Sequence, residues 1–199
     1  MQSFPDNLPP LMQQAIRASQ SKDSDTALSL FQQASQAEPG SPLPHFLMGA
    51  ELAQLGRMTE AEAAYARAVI LAPDFSIARF ELGVLQFVTA RPAIALVTWE
   101  ALLALPDTDP LKLFVRGYTE LMQDAFDDAL TYFEQGIVAN TTNPALNGNI
   151  QLLIAEIHRT RGTQGPNATA AAAAEKIADQ EELSDNHFLL SNYNQSRLH

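Results

Sequence analysis

Cysteine is absent from the chain. That excludes disulfides, thiolate catalysis, cysteine-ligated zinc and iron–sulfur clusters together. Positive charge is scarce as well. Twelve Lys and Arg stand against 23 Asp and Glu, a formal net charge of −11. A chain this acidic lacks the basic stripe that nucleic-acid binding needs, so no nucleic-acid partner is expected. No apolar run reaches the ~18 residues of a membrane-spanning helix, and no membrane insertion is expected. The opening segment, MQSFPDNLPPLMQQAIR, has no positive start and no long apolar stretch, and Pro5, Pro9 and Pro10 interrupt it. No signal peptide is read there, and a cytoplasmic location is the expectation.

Catalytic signatures are missing too. The nine glycines are scattered and form no phosphate loop, and neither HExxH nor GxSxG occurs. His45, His158, His187 and His199 lie far apart in the chain. Asp124, Asp127 and Asp128 lack the alternating oxygen ligands and the Gly turn of a calcium loop. Carboxylates at a helix start favour the helix dipole without any metal. The expectation is a non-enzyme with no cofactor and no metal.

What the chain does have is a period. Ala27, Ala61, Ala95 and Ala129 are each 34 residues apart, with no gap. Four residues after each comes an aromatic: Phe31, Tyr65, Trp99, Phe133. Three further on stand Ala34, Ala68, Leu102 and Gly136. Twelve before each alanine stand Ala15, Gly49, Gly83 and Gly117. Pro39, Pro73, Pro106 and Pro144 follow the segments, where a missing amide donor ends a helix. Apolar spacing within segments is helical and never strictly alternating. It predicts helix pairs 8–20 with 24–37, 42–55 with 58–71, 76–89 with 92–104, and 110–122 with 126–139. Asp25 or Ser24, Thr59 and Asp124 are the expected caps of second helices.

This pattern resembles the tetratricopeptide repeat, a 34-residue helix–turn–helix unit. The second unit carries the resemblance best, through Gly49, Leu52, Gly56, Ala61, Tyr65, Ala68 and Pro73. The third departs from it with Leu102 at a small-residue position. The resemblance implies an all-α fold, an αα-superhelix or TPR-like solenoid of antiparallel helix pairs. The repeat domain is expected over 1–160, with units starting near 8, 42, 76 and 110 and a capping helix at 145–160. A linker (161–167), an Ala-rich helix (168–184) and a C-terminal tail (185–199) are expected to follow.

In this repeat the first helix of each pair lines the concave side. At the corresponding positions the chain is mostly apolar. The expected partner-binding set is Phe46, Leu47, Phe80, Val84, Phe87, Phe114, Tyr118, Leu121 and Met122. The family's carboxylate clamp for acidic peptides needs cations where this chain has Met12, Ile77 and Glu81, so that ligand is not expected. The implied function is a protein-interaction module that takes another protein's apolar helix or peptide into its groove. In architecture it is similar to bacterial chaperones of type III secretion translocators. The rival is an assembly subunit, a homo-oligomer or a chain whose groove is filled by its own tail. Phe188, Leu189, Leu190 and Tyr193 are the candidate docking residues of that tail. Either occupant would cover an apolar surface too large to leave in water.

Overall fold

The computed structural model describes residues 8–163, and among these every regular element is helical. The chain runs α1 (Pro10–Gln20), α2 (Ser24–Ala37), α3 (Leu43–Gln54), α4 (Met58–Leu71), α5 (Ser76–Val88), α6 (Pro92–Trp99), a 3₁₀ segment (Glu100–Ala104), α7 (Pro110–Leu121), α8 (Phe126–Ala139) and α9 (Pro144–Thr163). The described residues fall into two compact units, 8–78 and 79–163, dividing within α5. In the first, α1 packs on α2, α2 on α3, and α3 on α4. In the second, α7 packs on α8 and α8 on α9, and the 3₁₀ segment lies against α7.

The turn inside each helix pair is the same device four times. Lys22, Gly56, Ala90 and Asp124 all have positive φ, at 60°, 71°, 59° and 56°, and each is 34 residues from the last. Around each, two amides reach back to the preceding helix. Asp23 N–H donates to Ala18 O and Lys22 N–H to Ser19 O; Arg57 and Gly56, Arg91 and Ala90, and Ala125 and Asp124 repeat the pattern. This is a Schellman ending, in which a left-handed residue lets the chain satisfy otherwise orphaned carbonyls. It corrects the expected caps. The second helices begin directly after the left-handed residue, so the cap positions fall to Asp23, Arg57, Arg91 and Ala125. Of these only Asp23 accepts a side-chain cap bond, from Thr26 N–H at 3.2 Å. Asp25, Thr59 and Asp124 do not cap.

The recurring small and aromatic residues meet within each pair. A Cβ at Gly49 would lie 2.7 Å from Tyr65, and one at Gly117 2.5 Å from Phe133. At Gly83 the indole of Trp99 fills the same place. A large ring sixteen residues downstream thus sits in the notch left by a missing side chain. Gly136 offers a second notch to Phe114. The third unit has Leu102 at the position of Gly136, and there the expected helix 92–104 tightens after Trp99 into the 3₁₀ segment. Leu102 is still buried.

One polar group is built into the first unit. Glu51, 3% exposed, accepts from Ser19 Oγ at 2.5 Å and from Ser24 Oγ, tying α3 to α1 and α2. A buried carboxylate needs such donors, because leaving it bare costs far more than the bonds themselves contribute. The linker Asn140–Asn143 is held by its own asparagines. Asn143 Oδ1 caps α9 at Leu146 N–H, while Asn140 and Asn147 bond each other at 2.8 Å.

Candidate functional site

The nine residues expected to bind a partner are divided between the two units. Phe46 and Leu47 lie in α3, buried in the first unit, with the Phe46 ring 5.1 Å from Phe75 and 5.9 Å from Tyr65. The other seven lie on α5, on α7 and, for Met122, at the residue that caps the end of α7, all in the second unit. There the rings form one cluster. Phe80 lies 6.1 Å from Phe114 and 6.2 Å from both Trp99 and Tyr118, and Phe87 lies 5.1 Å from Tyr118 edge-on. Tyr118 in turn meets Phe133 at 5.2 Å. Tilted and edge-on pairs of this kind match the ring quadrupoles and add to burial.

Burial separates the seven into two layers. Phe80, Phe87, Phe114, Tyr118 and Leu121 are buried, and Phe114 and Leu121 show no exposed surface. Val84 and Met122 are half-buried. Leu111, at a groove position of α7, is half-buried as well. The aromatic stripe is therefore the floor of the α5–α7 face, and the reachable apolar atoms belong to its aliphatic residues. Period alone does not separate a buried ring from a half-buried aliphatic residue on the same helix.

Polar contacts hold this floor in place. Trp99 Nε1 donates to Phe80 O at 3.0 Å, and Thr98 Oγ1 donates to the buried Gln86 Oε1 at 2.6 Å, so α6 is fastened to α5 at two points. At the head of α7, Asp109 caps Leu111 N–H at 2.8 Å. Lys112 Nζ reaches Asp107 at 2.9 Å and Leu105 O at 2.7 Å, and Arg116 meets the same carboxylate at 3.1 Å. These cations, Lys112 first, hold the Asp107 carboxyl below the usual range. Met12 is buried, Ile77 half-buried and Glu81 buried, so the described positions of an acidic-peptide clamp offer no cation. No group of three or more His, Asp or Glu among the described residues is arranged to hold a metal. No described helix is long and apolar enough to cross a membrane. The tail residues Phe188, Leu189, Leu190 and Tyr193, the linker 161–167 beyond residue 163, and the Ala-rich segment 168–184 lie outside the described residues.

One feature escaped the periodic reading: the outer face of α6. Ile94 and Val97 are exposed there, at 47% and 72%. A comparison of positions one period apart finds it, since Glu60 and Asp128 correspond to Ile94.

Residues 18–107 match the family model described as tetratricopeptide repeat. No curated protein matches the chain. Among solved structures it is similar to a double mutant of MamA, "MamA RS-1 ArsTM double mutant", at 16% identity over 90% of this chain and 97% of that one, with a TM-score of 0.57. It is likewise similar to MamA 41-end from Desulfovibrio magneticus RS-1, at 17% identity over 92% and 100% of the two chains, TM-score 0.56. A further crystal structure of MamA protein aligns at 17% identity over 86% and 90%, TM-score 0.54. At these identities the likeness is one of fold.

Proposed function

Because the chain is a tetratricopeptide-like protein of several helix-pair repeats, we propose that it is a non-catalytic interaction module that takes an apolar segment of another protein against the α5–α7 face. The repeat is in general a scaffold for protein–protein contact. The observation that carries the finer reading is the layering of that face. Aliphatic residues, Val84 and Met122 among them, are half-buried above a floor of Phe80, Phe87, Phe114 and Tyr118. A rigid apolar floor under accessible aliphatic atoms suits the anchors of an amphipathic helix. Each Å² of apolar surface removed from water favours binding by about 25 cal/mol before association costs.

The test uses the half-buried positions, which accept a charge without opening the core. Val84→Glu and Met122→Glu are compared with the unaltered chain in capturing partners from its source cells and in binding a synthetic Leu-rich amphipathic helix. Trp99, the single tryptophan, sits behind this face and reports occupancy by its emission. Loss of the partner and of the peptide, with helical circular dichroism unchanged, is the expected result. Equal binding by both variants would overturn the reading.

A further inference from the structure

Helix α9 is built as the first helix of a pair, and among the described residues no second helix follows it. Pro144 opens α9 34 residues after Pro110 opens α7. One side of α9 packs as its predecessors do, with Leu146, Ile150, Leu153 and Ile157 buried and α8 against it. The opposite side departs from them. Gly148 stands where α3, α5 and α7 carry the buried Phe46, Phe80 and Phe114, and nothing lies within 4 Å of a Cβ there. Leu152, 46% exposed, stands where α7 has the buried Tyr118. Ala155, exposed, stands where α7 has the buried Leu121. Gly148, Leu152 and Ala155 follow one another at i, i+4 and i+7, so they share a helix face. In the earlier pairs a ring stands sixteen residues after the small residue that receives it, but here Gln151 is followed at that distance by Asn167. Whatever closes this face does so by another route.

We propose that the face of Gly148, Leu152 and Ala155 is the docking surface of residues 168–184 of the same chain, laid antiparallel along α9 as a second helix that closes the end of the array. Three observations select that occupant. The first is the tether. Only residues 164–167 separate it from the end of α9, and Gly165 and Pro166 are among them. Connections this short make antiparallel neighbours, and they hold the segment at an effective concentration of the order of mM, ahead of any second copy. The second is composition. Residues 168–184 are rich in Ala and favour helix, yet a helix of this length is marginal without a surface to pack on. On a helix, Ala173, Ile177 and Leu183 fall within an arc of about 120°, a stripe wide enough to meet one. The third is charge. Helix α9 has Arg159 and Arg161 against one carboxylate, the buried Glu156, whereas 168–184 has Glu175, Asp179, Glu181 and Glu182 against Lys176. Opposite net charges favour this pairing, and a second copy of a chain that carries −11 is the poorer match. A repeat array needs its last unit covered, and this chain supplies the cover from its own continuation.

The proposal concerns α9 alone and stands or falls apart from the reading of the α5–α7 face. The chain has no cysteine, so introduced pairs report without background. An antiparallel alignment sets residue 176 level with Ala155 and leaves residue 170 about 9 Å further along the axis, beyond the reach of a disulfide. Ala155→Cys/Lys176→Cys and Ala155→Cys/Ala170→Cys are made in the full chain and oxidised with glutathione at low protein concentration. The first pair is expected to close within the monomer at least ~10-fold faster than the second. An undocked segment gives the opposite order, because the second pair closes the shorter loop. Adding Ile177→Asp to each is expected to abolish the preference. Equal or reversed rates overturn the proposal, as does a preference that Ile177→Asp leaves intact. A disulfide-linked dimer as the main product overturns it as well, by seating a second copy on the face.

Discussion

The indole of Trp99 occupies the space in which residue 83 would carry a Cβ, and its ring nitrogen donates to the carbonyl of Phe80 three residues earlier on the same helix. The hydrogen bond fixes the ring, so the ring cannot slide away to admit a methyl. Gly83→Ala is therefore expected to cost about 1–3 kcal/mol by overpacking. Gly148, inside α9, has nothing within 4 Å of a Cβ position. Gly148→Ala is expected to stabilise by about 0.5–1 kcal/mol through helix propensity. Urea unfolding of the two variants checks the opposite signs.

The left-handed turns make a second pair of opposites. Ala90 holds φ 59° with a Cβ that crowds the following carbonyl, whereas Gly56 holds φ 71° without one. Ala90→Gly should raise stability and Gly56→Ala lower it, each by about 1 kcal/mol. Thermal midpoints at matched concentration suffice to read the difference.

Glu51 gives a test of polar packing. Ser19→Ala takes away one of the hydroxyls that face the buried carboxylate and is expected to cost about 1.5–3 kcal/mol. Ser19→Ala with Glu51→Leu removes donor and acceptor together and should cost less than the two single changes summed. A double-mutant cycle by urea denaturation measures this, and strict additivity would show that the bond carries no coupling.

Acid should weaken the first unit through His45. Burial, and next the charge of Arg67, hold its imidazole below the ordinary value of 6.5. The unfolded chain then binds the proton more readily than the folded one. Stability is fully present above pH 6.5 and falls as the pH drops from there toward the folded value. His45→Gln is expected to flatten that slope in urea midpoints collected across the window.

Much of this fold could be read before any coordinates. The 34-residue spacing places the helices so well that α2, α4 and α8 run over the expected 24–37, 58–71 and 126–139. Periodicity succeeds here because each unit repeats one packing problem, a ring against a missing side chain, and the residues that solve it are unmistakable. The caps were not legible, because an Ala or a Lys in left-handed φ leaves no mark in the sequence; only Gly56 announces its turn. The candidate site was half legible. The period puts Phe80 on α5 and Phe114 on α7, yet depth follows from which ring meets which notch, and Phe114 finds its notch at Gly136, on the next helix. The face of α6 was present in the sequence all along, as an Ile and a Val out of step with their counterparts.

The left-handed residue also decides where the described chain reverses. One period beyond Asp124 stands His158, and there α9 does not turn; it runs straight on from Pro144 to Thr163. Among the described residues the last reversal of this kind is therefore at Asp124. The unbent helix carries Arg161 on to Asp127 of α8, 2.6 Å away and 34 positions earlier, and over the ring of Phe126. Had the chain folded back at His158, that arginine would have started a second helix instead of clasping the previous one. Length in this architecture is thus written in single residues, each a choice between reversing and continuing.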